Sequence, residues 1–374
     1  MAGSAAQPLV VVAAGGTGGH LFPAEALSAA LQRRGALVDL ATDERATRYG
    51  TAFPARSTYV IPSATFRARN PVSRLRTMTV LGFGVARAFA LLGRLKPAAV
   101  VGFGGYPTIP PVLAATLRGI PTLIHEQNGV LGRANRLLSR RVSAIATSFP
   151  DVLKAEPLLA AKATQTGNPL RPVVIAASAI PYSPADPTGP LHLLVFGGSQ
   201  GARVMADVVP PAIERLPADL KTRLRIVQQA RDEDGPLVRD AYARIGVKAD
   251  IAPFFPDLPA RIAAAHLVVC RSGASTVAEL AAIGRPAILV PLPHALDQDQ
   301  LANATVLDQA GGAICVNQRV FTPDWLAGEI ARLAAAPDKL AAMAAAARAT
   351  GVLDAADRLA DLVLKVAGSR PGRG

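Results

Sequence analysis

Cysteine, aromatic residues and long apolar runs are scarce in this 374-residue sequence. Its two cysteines, Cys270 and Cys315, are too few for a disulfide framework and favour a reducing compartment. Aromatic residues form only 5% of the chain, which argues against a stacking platform for single strands, and no nucleic-acid partner is expected. The longest apolar stretch, residues 77–86, is bounded by arginines, and no basic segment precedes the first apolar run. Neither a spanning helix nor a signal peptide is therefore predicted, and we expect a cytosolic protein.

Acidic residues are missing from a long part of the first half. Between Arg45 and His125 there are 11 Lys/Arg and no Asp or Glu, and residues 1–170 carry a net charge of +12 against +1 for residues 171–374. Residues 66–96 mix seven Lys/Arg with apolar side chains, as contact with an anionic membrane requires. The alternative is an ordinary helix with a solvated basic face. The candidate membrane contacts are Arg74, Leu75, Arg76, Met78, Phe83, Arg87, Arg140 and Arg141.

Two segments share the design of a buried strand, a glycine-rich loop and an amphipathic helix. Residues 9–14 lead into GGTGGH at 15–20, and residues 191–196 lead into GGSQGA at 197–202. Each is typical of the opening of a parallel α/β domain, so two such domains are predicted. Further strands are predicted at residues 36–41, 98–103, 121–126, 143–148, 224–229, 266–271, 286–291 and 312–317.

Composition divides the chain between these domains. The stretch 171–190 is rich in Pro, Ala and Ser, as an interdomain linker is. We therefore predict an N-terminal domain over residues 1–170, a linker over 171–190 and a C-terminal domain over 191–350. Residues 351–374 form a C-terminal helix and tail, for which packing back on the N-terminal domain is a candidate arrangement.

The loop at residues 15–20 offers both an anion-binding turn and a base. Backbone N–H groups in a glycine loop and at a helix N-terminus attract anions or sugars. His20 lies beside a helix start, where the dipole favours a neutral imidazole that can accept a proton; a structural histidine is the alternative. A dinucleotide site is the rival interpretation, because Asp39 lies at the distance of a ribose contact, although Leu21 occupies the third glycine position.

Polar residues also follow three later apolar strands. Residues 125–128 (HEQN) end one strand, and Arg271 ends another, at the edge where open α/β sheets bind ligands. Thr276 and Glu279 match a capping box, which the spacing alone favours; the functional alternative is that the Glu279 carboxylate takes two ribose hydroxyls. Residues 297–300 (DQDQ) either cap a helix or offer an amide to a sugar. No His/Cys cluster has zinc spacing, so neither a metal nor a cofactor is predicted.

Together these motifs resemble the family of peptidoglycan N-acetylglucosaminyltransferases, which make lipid II from lipid I. Any one motif would be weak evidence, but the set follows the family's order over nearly the whole chain. The resemblance implies a GT-B fold of the α/β class, with two Rossmann-like domains whose parallel sheets face each other across a cleft. The matching elements are residues 15–24, 102–107, 125–128, 166–172, 196–202 and 271–280, with Gln300 and Asn303.

The resemblance also implies roles for individual residues. UDP-GlcNAc would bind mainly the C-terminal domain, and the family role of Glu279, holding the uridine ribose, overturns the local preference for a cap. Asp299 departs from the glutamine or histidine usual in the family, which leaves its role open. The implied donor contacts are Thr17, Gly18, Gly19, Asn128, Arg171, Ser199, Phe255, Arg271, Ala274, Ser275, Thr276, Val277, Ala278, Glu279 and Gln300. The acceptor candidates are Gly104, Gly105, Tyr106, His125, Glu126 and Asn135.

The implied reaction is a single displacement with inversion at the donor sugar. The C4 hydroxyl of MurNAc in lipid I attacks the anomeric carbon, with His20 as candidate base and with amides and arginines in place of a metal. The expected partners are UDP-GlcNAc, lipid I and the anionic cytoplasmic face of the bacterial inner membrane, where the protein would be peripheral; other wall-synthesis and division proteins are further candidates. Three alternatives remain: a UDP-GlcNAc epimerase of the same fold, a nicotinamide-dependent dehydrogenase, and a glycolipid synthase with another lipid acceptor.

Overall fold

Two structural units make up the chain in the computed structural model. The structure describes residues 7–15, 18–44, 53–64, 71–293 and 298–369. Unit 1 comprises residues 1–171 together with 354–374, and unit 2 comprises residues 172–353.

Each unit contains one parallel sheet. In unit 1 the strands lie in the order β3-β2-β1-β4-β5-β6-β7, and in unit 2 in the order β10-β9-β8-β11-β12-β13, with every recorded pair parallel. Both sheets thus contain the Rossmann order, which confirms the predicted α/β class. The strands are β1 (Leu9–Ala13), β2 (Leu37–Thr42), β3 (Ser57–Val60), β4 (Ala99–Gly102), β5 (Thr122–Glu126), β6 (Ala144–Thr147), β7 (Ala163–Gln165), β8 (Leu191–Phe196), β9 (Leu224–Gln229), β10 (Ala249–Ala252), β11 (Leu267–Cys270), β12 (Ala287–Leu289) and β13 (Ala313–Cys315).

Helices follow most of the strands, as parallel pairing requires. They are α1 (Gly18–Arg33), α2 (Pro71–Leu95), α3 (Ile109–Leu117), α4 (Arg133–Ser139), α5 (Pro157–Ala160), α6 (Pro172–Ser178), α7 (Arg203–Glu214), α8 (Ala218–Arg223), α9 (Gly235–Ile245), α10 (Leu258–Ala264), α11 (Ala274–Ile283), α12 (Asp299–Gln309), α13 (Pro323–Ala334), α14 (Pro337–Ala349) and α15 (Ala355–Gly368).

The central strands are buried on both faces because helices cover both sides of each sheet. Every residue of β4 and of β11 is buried, and these strands read as continuous apolar runs in the sequence. All eight further strands predicted from apolar runs are present. The short strands β3, β7 and β10, which the sequence does not reveal, lie at sheet edges and are partly exposed.

Helix α2 contains the whole apolar stretch 77–86 and both arginines that bound it. The arginines that bound the apolar stretch do not interrupt it, and the helix is continuous over 25 residues. Among the described residues, its segment Arg74–Leu95 is the one helix long and apolar enough to cross a membrane, a test that core helices also pass. It packs on α3 and buries Ala88 and Leu92 in the core of unit 1. At Gly84 an added Cβ would lie 2.1 Å from the Pro62 carbonyl oxygen, so this close approach requires glycine.

Helix α15 completes unit 1 from the far end of the chain. Its Leu359, Ala360 and Val363 are fully buried in the core that α1 and sheet 1 form. At its outer side, the Arg34 guanidinium donates to Asp357 at 2.6 Å and to Asp361 at 2.8 Å. The amphipathic spacing of these residues explains why this helix docks on α1.

The stretch 171–190, for which the sequence predicts a linker, is largely held within unit 2. Its first part forms helix α6. The buried Arg285 guanidinium donates to the carbonyl oxygens of Ile180 and Pro181 at 3.1 and 3.2 Å. Arg348 donates to the carbonyl oxygen of Ser178 at 2.7 Å.

Candidate active site

In unit 1, His20 meets the loop that follows β4 at the carboxyl edge of the sheet. Gly104 and Gly105 in that loop have φ of 79° and 71°, which side chains rarely adopt. A Cβ added at Gly105 would lie 3.3 Å from His20 Nε2. The glycine pair therefore lets the loop pass close to the imidazole, and Tyr106 follows it at the start of a short 3-10 helix.

Beneath His20 lies a chain of hydrogen bonds. Gln127 Oε1 is 3.2 Å from His20 Nδ1, and Gln127 Nε2 donates to the Phe103 carbonyl oxygen at 2.9 Å. Gln127 Nε2 is also 3.2 Å from His125 Nδ1, and His125 Nε2 is 3.0 Å from the Gly167 carbonyl oxygen. Burial lowers the pKa of His125 to about 4, against the effect of its bond to Gly167. His125 is fully buried, so its side chain can influence a ligand only through the residues that cover it.

Glu126 organises the loop that connects β5 to α4. Its buried carboxylate accepts hydrogen bonds from the Asn128 backbone N–H at 3.0 Å and side-chain amide at 3.1 Å. It also accepts from the Gly132 N–H at 2.9 Å and from the Asn135 amide at 2.8 Å. Asn135 is buried, whereas Asn128 is only half-buried. Of these expected contacts, Asn128 is therefore the one best able to meet a ligand.

Arg171 lies at the end of unit 1 and packs against α1. Its guanidinium carbon is 4.0 Å from the centre of the Phe22 ring, a cation–π contact. Nearby, burial raises the pKa of Glu25, while the charge of Arg171 opposes that rise. Gly18 is buried and Gly19 is half-buried at the start of the same helix, and Thr17 lies outside the described residues.

In unit 2, the loop after β8 has a backbone conformation that requires glycine at several positions. A Cβ at Gly197 would lie 2.1 Å from the Ala202 backbone nitrogen, and Gly198 and Gly201 have φ of 84° and 68°. The Gly197 N–H donates to Gln229 Oε1 at 2.9 Å, which fixes the start of the loop. Ser199 is exposed at its tip, where its hydroxyl can contact a ligand.

The N-terminus of α11 follows β11 at the carboxyl edge of sheet 2. Gly273 precedes the helix and supplies no side-chain cap, so no cap side chain occupies the first N–H groups of α11. Within the described part of the chain, the buried Ser275 Oγ has no hydrogen-bond partner. The capping-box alternative is wrong, because Thr276 is the third residue of the helix rather than its cap. Ala274, Thr276 and Ala278 are half-buried, whereas Val277 and Glu279 are buried.

Arg271 and Gln300 hold the neighbouring loops of unit 2. The Arg271 guanidinium donates to the carbonyl oxygens of Val290 and Pro291 at 3.0 and 3.1 Å and to Gln318 Oε1 at 2.6 Å. Burial lowers the pKa of Arg271. These three acceptors are neutral, so none of them offsets the positive charge of Arg271 at the sheet edge. Gln300 Oε1 accepts from the Leu292 N–H at 3.0 Å.

The predicted uracil contact and its neighbour differ in exposure. Phe255 is buried, and the Arg261 guanidinium carbon lies 4.2 Å from its ring centre. Phe254 is 63% exposed and is the accessible ring of the pair.

Three residues of these sites escape sequence reasoning: Gln127, Gln318 and Phe254. Gln127 could have been found, since it lies inside the HEQN motif. Gln318 carries no signal, because its partner Arg271 is 47 residues away in the sequence.

Comparisons with known proteins agree along the whole length of the chain. The models of the glycosyltransferase family 28 N-terminal and C-terminal domains match residues 10–147 and 192–359. The chain is 63% identical to the UDP-N-acetylglucosamine--N-acetylmuramyl-(pentapeptide) pyrophosphoryl-undecaprenol N-acetylglucosamine transferase of Rhodopseudomonas palustris (strain BisB18), over 96% of both chains. It is 61% identical to the protein of that name from Bradyrhizobium sp. (strain ORS 278), over 96% of this chain and 98% of the relative.

Solved structures give the same result. Acinetobacter baumannii MurG has a TM-score of 0.77 and 32% identity, covering 96% of this chain and 99% of that one. The UDP-GlcNAc 2-epimerase from Neisseria meningitidis, with a TM-score of 0.67, covers 96% of this chain and 99% of its own, but at 14% identity it shows likeness of fold alone.

Proposed function

Because this chain belongs to glycosyltransferase family 28, we propose that it transfers N-acetylglucosamine from UDP-GlcNAc to lipid I and so forms lipid II for peptidoglycan. The observation that carries this conclusion is the 63% identity to a transferase of that name over 96% of both chains. The predicted family, enzyme class and GT-B fold are confirmed by the same matches and by the likeness to MurG.

In this proposal the donor binds unit 2. The uncapped N-terminus of α11 and the amides of the 197–202 loop offer N–H groups to the diphosphate. The buried charge of Arg271 adds positive potential at the same sheet edge. Glu279 would accept from the ribose hydroxyls, and the amide nitrogen of Gln300 would donate to the sugar.

The acceptor binds unit 1 in the same proposal. The C4 hydroxyl of MurNAc attacks the anomeric carbon of GlcNAc, and His20 takes the hydroxyl proton. The bond from the anomeric carbon to the phosphate oxygen breaks, and UDP leaves with that electron pair. Its developing charge is stabilised by the N–H groups and by Arg271, which act more strongly in the transition state than before it.

We further propose that α2 contacts an anionic membrane surface. Leu75, Met78 and Phe83 are 70%, 58% and 59% exposed on this helix, which is costly in water unless a partner covers them. The predicted arginine contacts are also exposed. An apolar face bordered by arginines suits the interface of a bilayer with acidic headgroups. Such binding would bring the enzyme to its lipid-linked acceptor.

The transfer is tested with UDP-GlcNAc and a short-chain lipid I analogue. We expect UDP release that depends on the acceptor and yields a disaccharide. His20→Ala should lower kcat by roughly 10²- to 10⁴-fold, the range of general-base contributions, without weakening UDP binding. His192→Ala is the matched control, because His192 lies in β8 at the end opposite the glycine loop.

Other results would contradict parts of this proposal. UDP release without acceptor, or a new sugar epimer, would favour the epimerase alternative. Near-normal turnover by His20→Ala would exclude His20 as the base while leaving the transfer itself intact.

A further inference from the structure

The orientation of the Gln127 side chain is determined by its surroundings. Gln127 is 2% exposed, and one end of its amide lies 2.9 Å from the Phe103 carbonyl oxygen. A carbonyl oxygen can only accept, so this end must be the NH₂ group. The other end, which faces His20 Nδ1 at 3.2 Å, is therefore the amide oxygen.

This orientation selects one tautomer of His20. The amide oxygen carries no proton, so the hydrogen bond requires a proton on His20 Nδ1. In a neutral imidazole only one ring nitrogen is protonated, so Nε2 is left as the proton-accepting atom. The edge of the ring that carries Nε2 and Cδ2 faces Gly105, in the loop assigned to the acceptor, since a Cβ built there would lie 3.3 Å from either atom.

His125 prevents the Gln127 amide from turning over. His125 Nε2 lies 3.0 Å from the Gly167 carbonyl oxygen and must donate to it. Since burial lowers the pKa of His125 to about 4, the ring is neutral near pH 7 and its Nδ1 accepts. It accepts from the Gln127 NH₂ group at 3.2 Å, and the His125 carbonyl oxygen is a further acceptor of that group at 3.4 Å. Reversing the amide would break these donor bonds and the bond to Phe103.

We propose that Gln127 is a positioning residue that holds His20 as the Nδ1–H tautomer, with Nε2 ready to take the acceptor proton. This inference rests on the proposed function, in which His20 is the base. In the transfer, the acceptor O4–H bond breaks and Nε2–H forms, while the proton on Nδ1 stays bonded to Gln127 Oε1. A neutral amide thus orients the ring without adding a negative charge beside it.

The first test is turnover and its pH dependence. Gln127→Met keeps the size of the side chain but removes its hydrogen bonds; we expect kcat to fall roughly 10- to 100-fold, with the KM for UDP-GlcNAc within about twofold. Gln127→Glu places a carboxylate beside His20, which should raise the pKa of the base and move the acidic limb of the kcat profile up by about one pH unit or more. Gln165→Met is the control, because Gln165 is an exposed glutamine of β7.

The second test reads the tautomer directly and needs no turnover. In protein labelled with ¹⁵N in its histidine rings, the His20 signals are identified by their loss in His20→Ala. We expect a protonated Nδ1 and an unprotonated Nε2 in the wild type, and a population with Nε2–H in Gln127→Met. A wild-type His20 with Nε2–H, or a tautomer unchanged in Gln127→Met, would overturn the proposal. Full turnover by His20→Ala with the expected tautomers would instead overturn the role of His20 as base.

Discussion

Two buried ionisable residues, Glu126 and Arg271, hold backbone in place at the carboxyl edges of their sheets. Glu126 accepts four hydrogen bonds within its own loop, and Arg271 donates to two backbone carbonyls and to Gln318. A charge satisfied in this way is costly to remove, because its partners would be left unpaired in a buried site. Substitution at either residue would therefore alter the shape of a loop as well as its charge.

Acid should destabilise unit 1 through His125. Its pKa is lowered from 6.5 to about 4 in the folded protein, so between those values the unfolded chain binds a proton that the folded chain does not. Stability therefore falls as the pH drops from about 6.5 to 4, by on the order of 3 kcal/mol in total.

The measurement is the thermal-unfolding midpoint of wild type and His125→Gln between pH 7.5 and 4.5. Glutamine retains a donor for the Gly167 carbonyl oxygen but does not titrate in this range. We expect the wild-type midpoint to fall more steeply than that of the variant, since the carboxylates common to both contribute equally. Parallel curves would contradict the assignment.

The sequence predicts which residues belong to the site, but not the contacts between residues that are distant in the chain. His20 and residues 125–128 can be recognised because each comes shortly after an apolar run in the sequence, near the carboxyl end of a predicted strand. The pairing of His20 with Gln127 spans 107 positions, and the orientation of the amide depends on Phe103 as well. No local pattern encodes that geometry, so the tautomer of His20 could not be predicted.

At the scale of elements, α2 combines a buried side with an exposed apolar side. We expect Leu75→Ser with Phe83→Ser to reduce binding to vesicles of anionic lipid by at least roughly tenfold, since each lost apolar contact is worth about 1.5–3 kcal/mol when fully buried. The proposal for α2 rests on this contact together with attraction between its arginines and acidic headgroups.

Vesicle co-sedimentation at 50 and 500 mM salt checks the prediction. Leu158→Ser is the matched control, because Leu158 is 90% exposed in unit 1 but lies on α5. Wild type and control should bind anionic vesicles tightly at low salt and more weakly at high salt, as screening predicts. Equal loss of binding in the control and in the double variant would argue against α2 as the contact.

The strands at the centre of each sheet agree closely with the strands predicted from the sequence, whereas several edge strands are not predicted. The predicted strand 191–196 coincides with β8, and 9–14 exceeds β1 by one residue. The edge strands β3 and β7 have four and three residues and exposed positions, so apolar periodicity could not reveal them. Arg76 and Arg87 bound the apolar stretch in the sequence but lie inside α2, because long arginine side chains can reach water from a continuous helix.

At the scale of the whole molecule, unit 1 depends on a helix that is distant from it in sequence. A chain ending at Leu353 lacks α15 and therefore the burial of Leu359 and Val363, each worth about 1.5–3 kcal/mol. We expect amide hydrogen exchange in β1 and β4 to accelerate by roughly 10²-fold or more, since several kcal/mol of stability would be lost.

Exchange in β8 and β11 of unit 2 serves as the internal reference for this measurement. A chain ending at Ser369 is the matched control, since it retains all of α15, and its exchange should equal that of the wild type. Unchanged protection of sheet 1 in the shorter chain would show that α15 adds little to the stability of its unit.

The position of α15 in the chain also sets an order of events on the ribosome. Its residues follow all of unit 2, a stretch of roughly 180 residues, and emerge only after that stretch has been translated. At a synthesis rate of about 5–20 residues per second, the nascent first unit waits roughly 10 to 40 seconds for its last helix. During that interval the apolar surface of α1 that receives Leu359 and Val363 faces solvent, where chaperones that recognise such surfaces can bind it.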